Sequence, residues 1–331
     1  MRTGVIGAGG LGYHHVRILR DMLGADFAGF YESRPDRAEK VSSELNVRAH
    51  ESIESLLDTV DAVTIVVPTP AHYAVAKQVL SRGIHAMIEK PIAATLEEAD
   101  ALLALAREHG ALVQTGHVER FNRAIRAAIP YVDAPRFIES DRLAPFNPRG
   151  ADVAVVLDLM IHDIDLVHTL VGGKASSVSA VGVPVLTPFV DIANARLTFD
   201  SGAVANITAS RVSKDRMRKV RIFQQSGYLS LDLGAGNGEF FRLREGLDMA
   251  ALAVAPLALE QFVERIPLEA EEGEPLRLEF ESFLAAVRGE APVAVTGEAG
   301  REALAVALQI VHDIERTLPT VRGGVPIGAS A

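Results

Sequence analysis

Cysteine is absent from this chain of 331 residues, so it can hold neither a disulfide framework nor a thiolate-bound zinc or iron-sulfur centre. Positive charge is in deficit. The formal net charge of -10 argues against a general nucleic-acid binder, for which a basic face is the first requirement. No apolar run reaches membrane-spanning length without a charge inside it, which excludes membrane insertion by a helix. The opening Met1-Arg2-Thr3-Gly4-Val5-Ile6-Gly7 lacks the long hydrophobic region and small-residue cleavage site of a secretion signal, so a cytoplasmic protein is expected. Repeats and low-complexity segments are also missing. What remains is a chain that is 48% hydrophobic and long enough for one large core or two ordinary ones.

From residue 3 to about residue 116, short β-branched runs alternate with amphipathic stretches, the pattern of a parallel sheet flanked by helices. The runs are Thr3–Ile6, Asp26–Tyr31, Ala62–Val67, Ile84–Ile88 and Leu112–Thr115, separated by helical spacing over Tyr13–Leu23, Arg37–Leu45, Ala71–Ser81 and Leu96–His109. After Gly116 the rhythm changes. A helical segment, Ala154–Leu170, precedes long alternating runs at Ser177–Leu186, Ile192–Phe199, Ala203–Ser210, Val220–Gln225 and Tyr228–Leu233, which predict an open, largely antiparallel sheet. The expected class is α/β: a doubly wound Rossmann domain over residues 1–120, then an α+β domain over 121–322 for substrate and oligomerisation. A C-terminal helix near 300–318 is a candidate to pack back on the first domain, and 323–331 forms a tail.

Gly7-Ala8-Gly9-Gly10-Leu11-Gly12 fits G-x-G-x-x-G between the first strand and the first helix, where the pattern has mechanical meaning. Gly7 permits the tight turn, Gly9 lets a pyrophosphate approach the backbone, and Gly12 lets helix and strand pack closely. The helix N-terminus then presents free N–H groups to the phosphates. Glu32, about twenty residues further at the end of the second strand, is placed to take the ribose hydroxyls; a carboxylate there repels a 2′-phosphate and favours NAD over NADP. Arg34 and Arg37 follow closely and pull the other way, unless they are ordinary solvated charge.

Glu89-Lys90-Pro91 stands at the carboxyl end of a buried strand, and Pro68-Thr69-Pro70-Ala71-His72 closes the preceding strand at the same edge, where ligands bind in open α/β sheets. Candidate cofactor contacts are therefore Gly7, Gly9, Gly10, Leu11, Gly12, Glu32, Arg37, Pro68, Thr69, His72, Glu89 and Lys90. Farther on, Asp158, His162 and Asp165 share one stripe of an otherwise aliphatic helix, at spacings of four and three. The helix by itself admits three readings: a polar stripe facing water, a metal site built on Asp-x-x-x-His, or an acid-base site in which His162 moves a proton. A bound dinucleotide makes a metal unnecessary, because hydride chemistry needs a base and not a Lewis acid, and no metal is expected.

These motifs resemble the oxidoreductase family that includes glucose-fructose oxidoreductase and inositol 2-dehydrogenase, the Gfo/Idh/MocA family, over nearly the whole chain. The resemblance implies that Lys90 and His162 are the catalytic pair and that the Lys90–Pro91 bond is cis; Asp158, one turn before His162, is placed to orient the imidazole or to hold Lys90. Many members carry glycine where this chain has Met160, and a glycine pair where it has Val155 and Val156. Three further strings are similar to the subgroup that oxidises the 3-hydroxyl of UDP-N-acetylglucosamine: Gly116-His117-Val118-Glu119-Arg120-Phe121-Asn122, Arg142-Leu143-x-Pro145-Phe146-x-x-Arg149-Gly150, and Asp158 to Asp165.

A nucleotide sugar brings a diphosphate, for which Arg120, Arg142, Arg149 and Arg211 are candidate donors because guanidinium matches phosphate geometry. Glu119 and Asn122 either meet sugar hydroxyls or cap the helix beginning near Phe121, and His117 either lines the crevice or is a satisfied loop histidine. Lys90, Asp158 and His162 complete the expected substrate set. Two alternatives stay open: a dehydrogenase of a free polyol such as inositol, and a sensor of NAD and sugar without turnover. The broad apolar face of an open sheet predicts an oligomer, and the resemblance implies a homodimer or homotetramer.

Overall fold

The first strand, β1 (Thr3–Ile6), is buried at every position, so its Gly-rich exit is anchored in core before the chain turns. A computed structural model describes residues 1–148, 150–244 and 262–318. After β1 come α1 (Gly10–Leu23), β2 (Phe27–Tyr31), α2 (Pro35–Leu45), the short α3 (Ile53–Leu57), β3 (Ala62–Ile65), α4 (Thr69–Leu80), β4 (His85–Glu89), α5 (Leu96–Glu108) and β5 (Val113–Gly116). The strands form a parallel sheet in the order β2-β1-β3-β4-β5. Strand order reverses between β1 and β3, the point at which open α/β sheets place their ligand crevice.

The chain divides into two compact units, residues 1–118 with 273–305, and residues 119–272 with 306–331. Residues 273–305, expected in the second region, cluster with the first. They carry the helix Pro275–Val287, whose Phe280 and Phe283 are fully buried in the core around α1. The helix Gly297–Thr317 spans the boundary of the two units. Its first turns lie on the first unit, where Arg301 pairs with Asp100 at 2.9 Å. The expected tail at 323–331 lies outside the described residues.

In the second unit, α6 (Arg123–Ala128) precedes β6 (Phe137–Leu143), a π-turn at Val156–Met160 and α7 (Ile161–Val171). Then follow β7 (Ala175–Val183), β8 (Ile192–Phe199), β9 (Val204–Ser210), β10 (Met217–Gln224), β11 (Gly227–Asp232), β12 (Asn237–Leu243) and β13 (Val263–Leu268). The sheet runs β13-β12-β11-β10-β6-β9-β8-β7 and is antiparallel except where β6 pairs with β9. Helix α6 packs on β11 to β13 and α7 on β6 and β9, so alternate residues such as Ile138, Ile207, Ile222 and Leu231 are buried on that face. The opposite face carries an in-register row of rings, Phe137, Phe223, Tyr228 and Phe241, stacked at 4.8–5.6 Å between centroids.

Candidate functional site

At the start of α1 the backbone explains the glycines. Gly7 has φ +94, and a Cβ there would stand 2.6 Å from the carbonyl oxygen of Val66; a Cβ on Gly12 would run into the carbonyl oxygen of Gly7. Nothing lies within 4 Å of the equivalent point on Gly9, which leaves open space over the loop. The first turn of α1 has no acidic residue and no side-chain cap, so its N–H groups remain for an anion. These are the properties a dinucleotide pyrophosphate requires.

Just beyond β2, Glu32 accepts the backbone N–H of Ala8 at 2.9 Å and the Arg34 guanidinium at 3.1 Å. Burial alone would raise its pKa, but these hydrogen bonds and the Arg34 charge hold the carboxyl below its ordinary value. It is therefore anionic at neutral pH, fit to accept ribose hydroxyls and to repel a 2′-phosphate. Arg37 donates to the carbonyls of Ala8 and Gly9 at 2.8 and 3.0 Å, bracing the loop. Glu32→Ala is expected to weaken NAD binding roughly 10- to 100-fold, the scale of a lost charge-assisted hydrogen bond, and to narrow the preference over NADP. Titration of both cofactors by fluorescence checks this; unchanged affinities would remove Glu32 from the site.

At the carboxyl edge of β3 and β4, Pro68 precedes α4, Thr69 opens it, and Lys90 is half-buried at the strand end, joined to Pro91 by the expected cis bond. Two of the cofactor candidates, His72 and Glu89, are turned inward. The ring nitrogens of His72 face the carbonyl oxygens of Val67 and Pro91, each at 2.8 Å, so the imidazole clasps the two edge loops together. Burial pushes the His72 pKa down, against the pull of those carbonyls. His117 follows β5 and is also buried.

The stripe in the second unit differs from the regular helix expected. The segment enters through the π-turn, in which the N–H of Ile161 reaches the carbonyl of Val156, and only then becomes α7. Asp158 lies in that turn against Gly150, and His162 in the first turn of α7; both are half-buried. Asp165 is buried and holds Arg120 through two hydrogen bonds of 2.5 and 2.7 Å. Single π-turns inside helices recur at functional sites because they re-aim one residue without breaking the helix.

The arginines expected at a diphosphate have other partners. Arg142 binds Asp163 at 2.5 Å and Glu119 at 2.8 Å, and Asp163 also accepts from Ser140 at 2.8 Å, a network almost wholly inside the unit. Burial alone would lower the Arg142 pKa, but the two flanking carboxylates raise it. Arg211 is likewise buried and donates to the carbonyls of Gly150 and Val153 at 2.5 and 2.7 Å, tethering the chain ahead of the π-turn. Asn122 caps α6 by accepting the N–H of Ala124 at 3.0 Å and donates to Glu119 and to the carbonyl of Leu233. Of the two openings left for Asn122, the cap is thus occupied. Arg149 lies outside the described residues.

Residues 1–117 match a family model described as an oxidoreductase family with an NAD-binding Rossmann fold, and residues 131–230 match the C-terminal domain of the same family. A UDP-N-acetylglucosamine 3-dehydrogenase from Acidithiobacillus ferrooxidans is 39% identical over 323 residues, 96% of this chain and 98% of that protein. This chain belongs to the Gfo/Idh/MocA oxidoreductase family. Residues 1–117 are the family's NAD-binding Rossmann domain, in agreement with the glycine geometry. A solved structure of the Acidithiobacillus enzyme superposes with a TM-score of 0.87, covering 96% of this chain and 98% of that one. A more distant relative, scyllo-inositol 2-dehydrogenase (NAD(+)) from Bacillus subtilis, is 32% identical over 64% of this chain and 68% of its own.

Two residues of the Gfo/Idh/MocA chain escaped notice in the sequence, Asp163 and His15. Asp163 sits one position from His162 on the opposite side of the stripe, and the signal for it was Ser140 and Arg142 alternating on β6, polar residues where core was due. His15 stands among the buried residues of α1, a polar group on an apolar face.

Proposed function

We propose that this protein is an NAD-dependent dehydrogenase that oxidises the 3-hydroxyl of UDP-N-acetylglucosamine to a ketone in the cytoplasm. The observation that carries the reading is 39% identity, along almost the full length of both chains, to an enzyme named for that reaction. NAD, when bound, supplies the hydride acceptor. It would be held by the Gly7–Gly12 loop, the N-terminus of α1 and Glu32, with Arg37 keeping the loop in shape. Leu11, Pro68 and Thr69 flank that crevice edge, while His72 and Glu89 act from behind it.

His162, half-buried in the first turn of α7, takes the hydroxyl proton, since a neutral imidazole is suited to that near pH 7. Asp158, in the π-turn, orients it. Lys90 stabilises the charge that develops on the oxygen. Among the described arginines named for the diphosphate, Arg120 keeps the most exposure, with 18% of its side chain open against 5% for Arg142 and 4% for Arg211, and is the donor we assign. Glu119, tied to Arg142, shapes the pocket wall instead of meeting the sugar.

The test is incubation with NAD and a panel of UDP-N-acetylglucosamine, other UDP sugars, free sugars and inositols, following NADH absorbance. Reduction is expected with UDP-N-acetylglucosamine. Reduction with free polyols alone sinks the nucleotide-sugar reading, and none with any member favours a sensor.

The stacked row Phe137, Phe223, Tyr228 and Phe241, with Val181 and Val183 at 58% and 49% exposure on the same open face, supports burial of that face against a second copy. Size-exclusion chromatography with light scattering is expected to give a dimer or tetramer, and Phe223→Asp to shift it towards monomer. A concentration-independent monomer contradicts this.

A further inference from the structure

We propose that His15, on the buried side of α1, is a positioning residue for Lys90 and acts through the carboxylate of Glu89. The inference rests on the reading that Lys90 serves the reaction. A histidine with no exposed surface on an apolar helix face carries a desolvation cost unless both ring nitrogens are engaged. Here they are. Nδ1 lies 3.2 Å from the hydroxyl oxygen of Thr64 on β3, and Nε2 lies 3.2 Å from Oε1 of Glu89 at the end of β4. The edge of the ring rests on Phe280, 5.0 Å between centroids.

Oε2, the other oxygen of Glu89, accepts the backbone N–H of Lys90 at 3.2 Å. The carboxyl group has room because residue 116 is glycine: a Cβ there would stand 2.9 Å from its atoms. Helix α1, strand β4 and the absent side chain on β5 thus meet at one carboxylate, which also accepts the backbone N–H of Lys90. Burial of Glu89 would raise its pKa, yet the hydrogen bond and charge of His15, then the charge of Lys90, bring it below the ordinary value. By the same interaction an ionised Glu89 favours the ammonium form of Lys90. Other ionisable groups near this cluster include His72 of α4, held by the carbonyls of Val67 and Pro91, the buried His117 that follows Gly116, and Glu279, one residue before Phe280 and fully buried, whose backbone carbonyl faces Gln114. Thr64, Gly116 and Phe280 carry no charge.

His15→Leu removes the donor at similar volume, and His15→Gln keeps an N–H in reach of the carboxylate. The titration of Lys90 is read on the full chain by competitive acetylation against pH with peptide mass spectrometry, a readout that needs no turnover. In His15→Leu the apparent pKa of Lys90 is expected to fall by about one unit, and turnover about tenfold, with little change in the KM for NAD; His15→Gln restores most of both. Unchanged Lys90 titration in a folded His15→Leu protein overturns the proposal. If that variant does not fold, His15→Met, which also lacks the donor, decides: the same fall in the Lys90 pKa supports the linkage, and none overturns it. Should the wild type oxidise no sugar, the reading of Lys90 fails while the acetylation result still decides the linkage.

Discussion

Replacing His162 by Ala is expected to lower turnover of UDP-N-acetylglucosamine by about 10²–10⁴-fold, the usual contribution of a positioned general base. NAD affinity should stay nearly intact, because the glycine loop, the α1 N-terminus and Glu32 all belong to the first unit and His162 to the second. His162 is half-buried two residues past the π-turn, a setting that partly shelters an imidazole from bulk water. Steady-state kinetics paired with calorimetric NAD titration separates the two quantities. Turnover within a few fold of wild type would remove His162 from the mechanism.

The second large effect is on stability. Arg142→Ala is expected to cost about 3–5 kcal/mol, because it strands Asp163 and Glu119 as buried carboxylates without their cation. Were Arg142 a diphosphate donor, the loss would appear as a raised KM with stability almost unchanged. Urea unfolding of the variant and the wild type distinguishes these outcomes. A change within about 0.5 kcal/mol, typical of surface positions, would contradict the structural role.

What could be read in the sequence was what local geometry encodes. The Gly7–Gly12 loop and Glu32 depend on a strand, a turn and a helix start adjacent in the chain, and all stand where expected. β6 was invisible because its inward positions are Ile138, Ser140 and Arg142, and two of the three are polar to meet Asp163; alternation alone cannot distinguish that from a loop. The same long-range pairing turned Arg142, and with it Arg211, from expected anion donors into internal ties. Asp165 was drawn into one stripe with Asp158 and His162 on the assumption of regular helix, and a π-turn departs from that period. The helix Pro275–Val287 did carry a local signal, Pro275 in its first turn and Phe280, Phe283 and Leu284 at helical spacing, but not the return of that segment to the first unit.

In the proposed reaction, hydride leaves carbon 3 of the sugar for NAD. UDP-N-acetylglucosamine carrying deuterium at that carbon, incubated with the enzyme and NAD, tests it most directly by mass spectrometry of the NADH formed. One deuterium in the NADH is expected, with a slower rate than with the unlabelled sugar. Unlabelled NADH, with the deuterium retained in the sugar product, would contradict it.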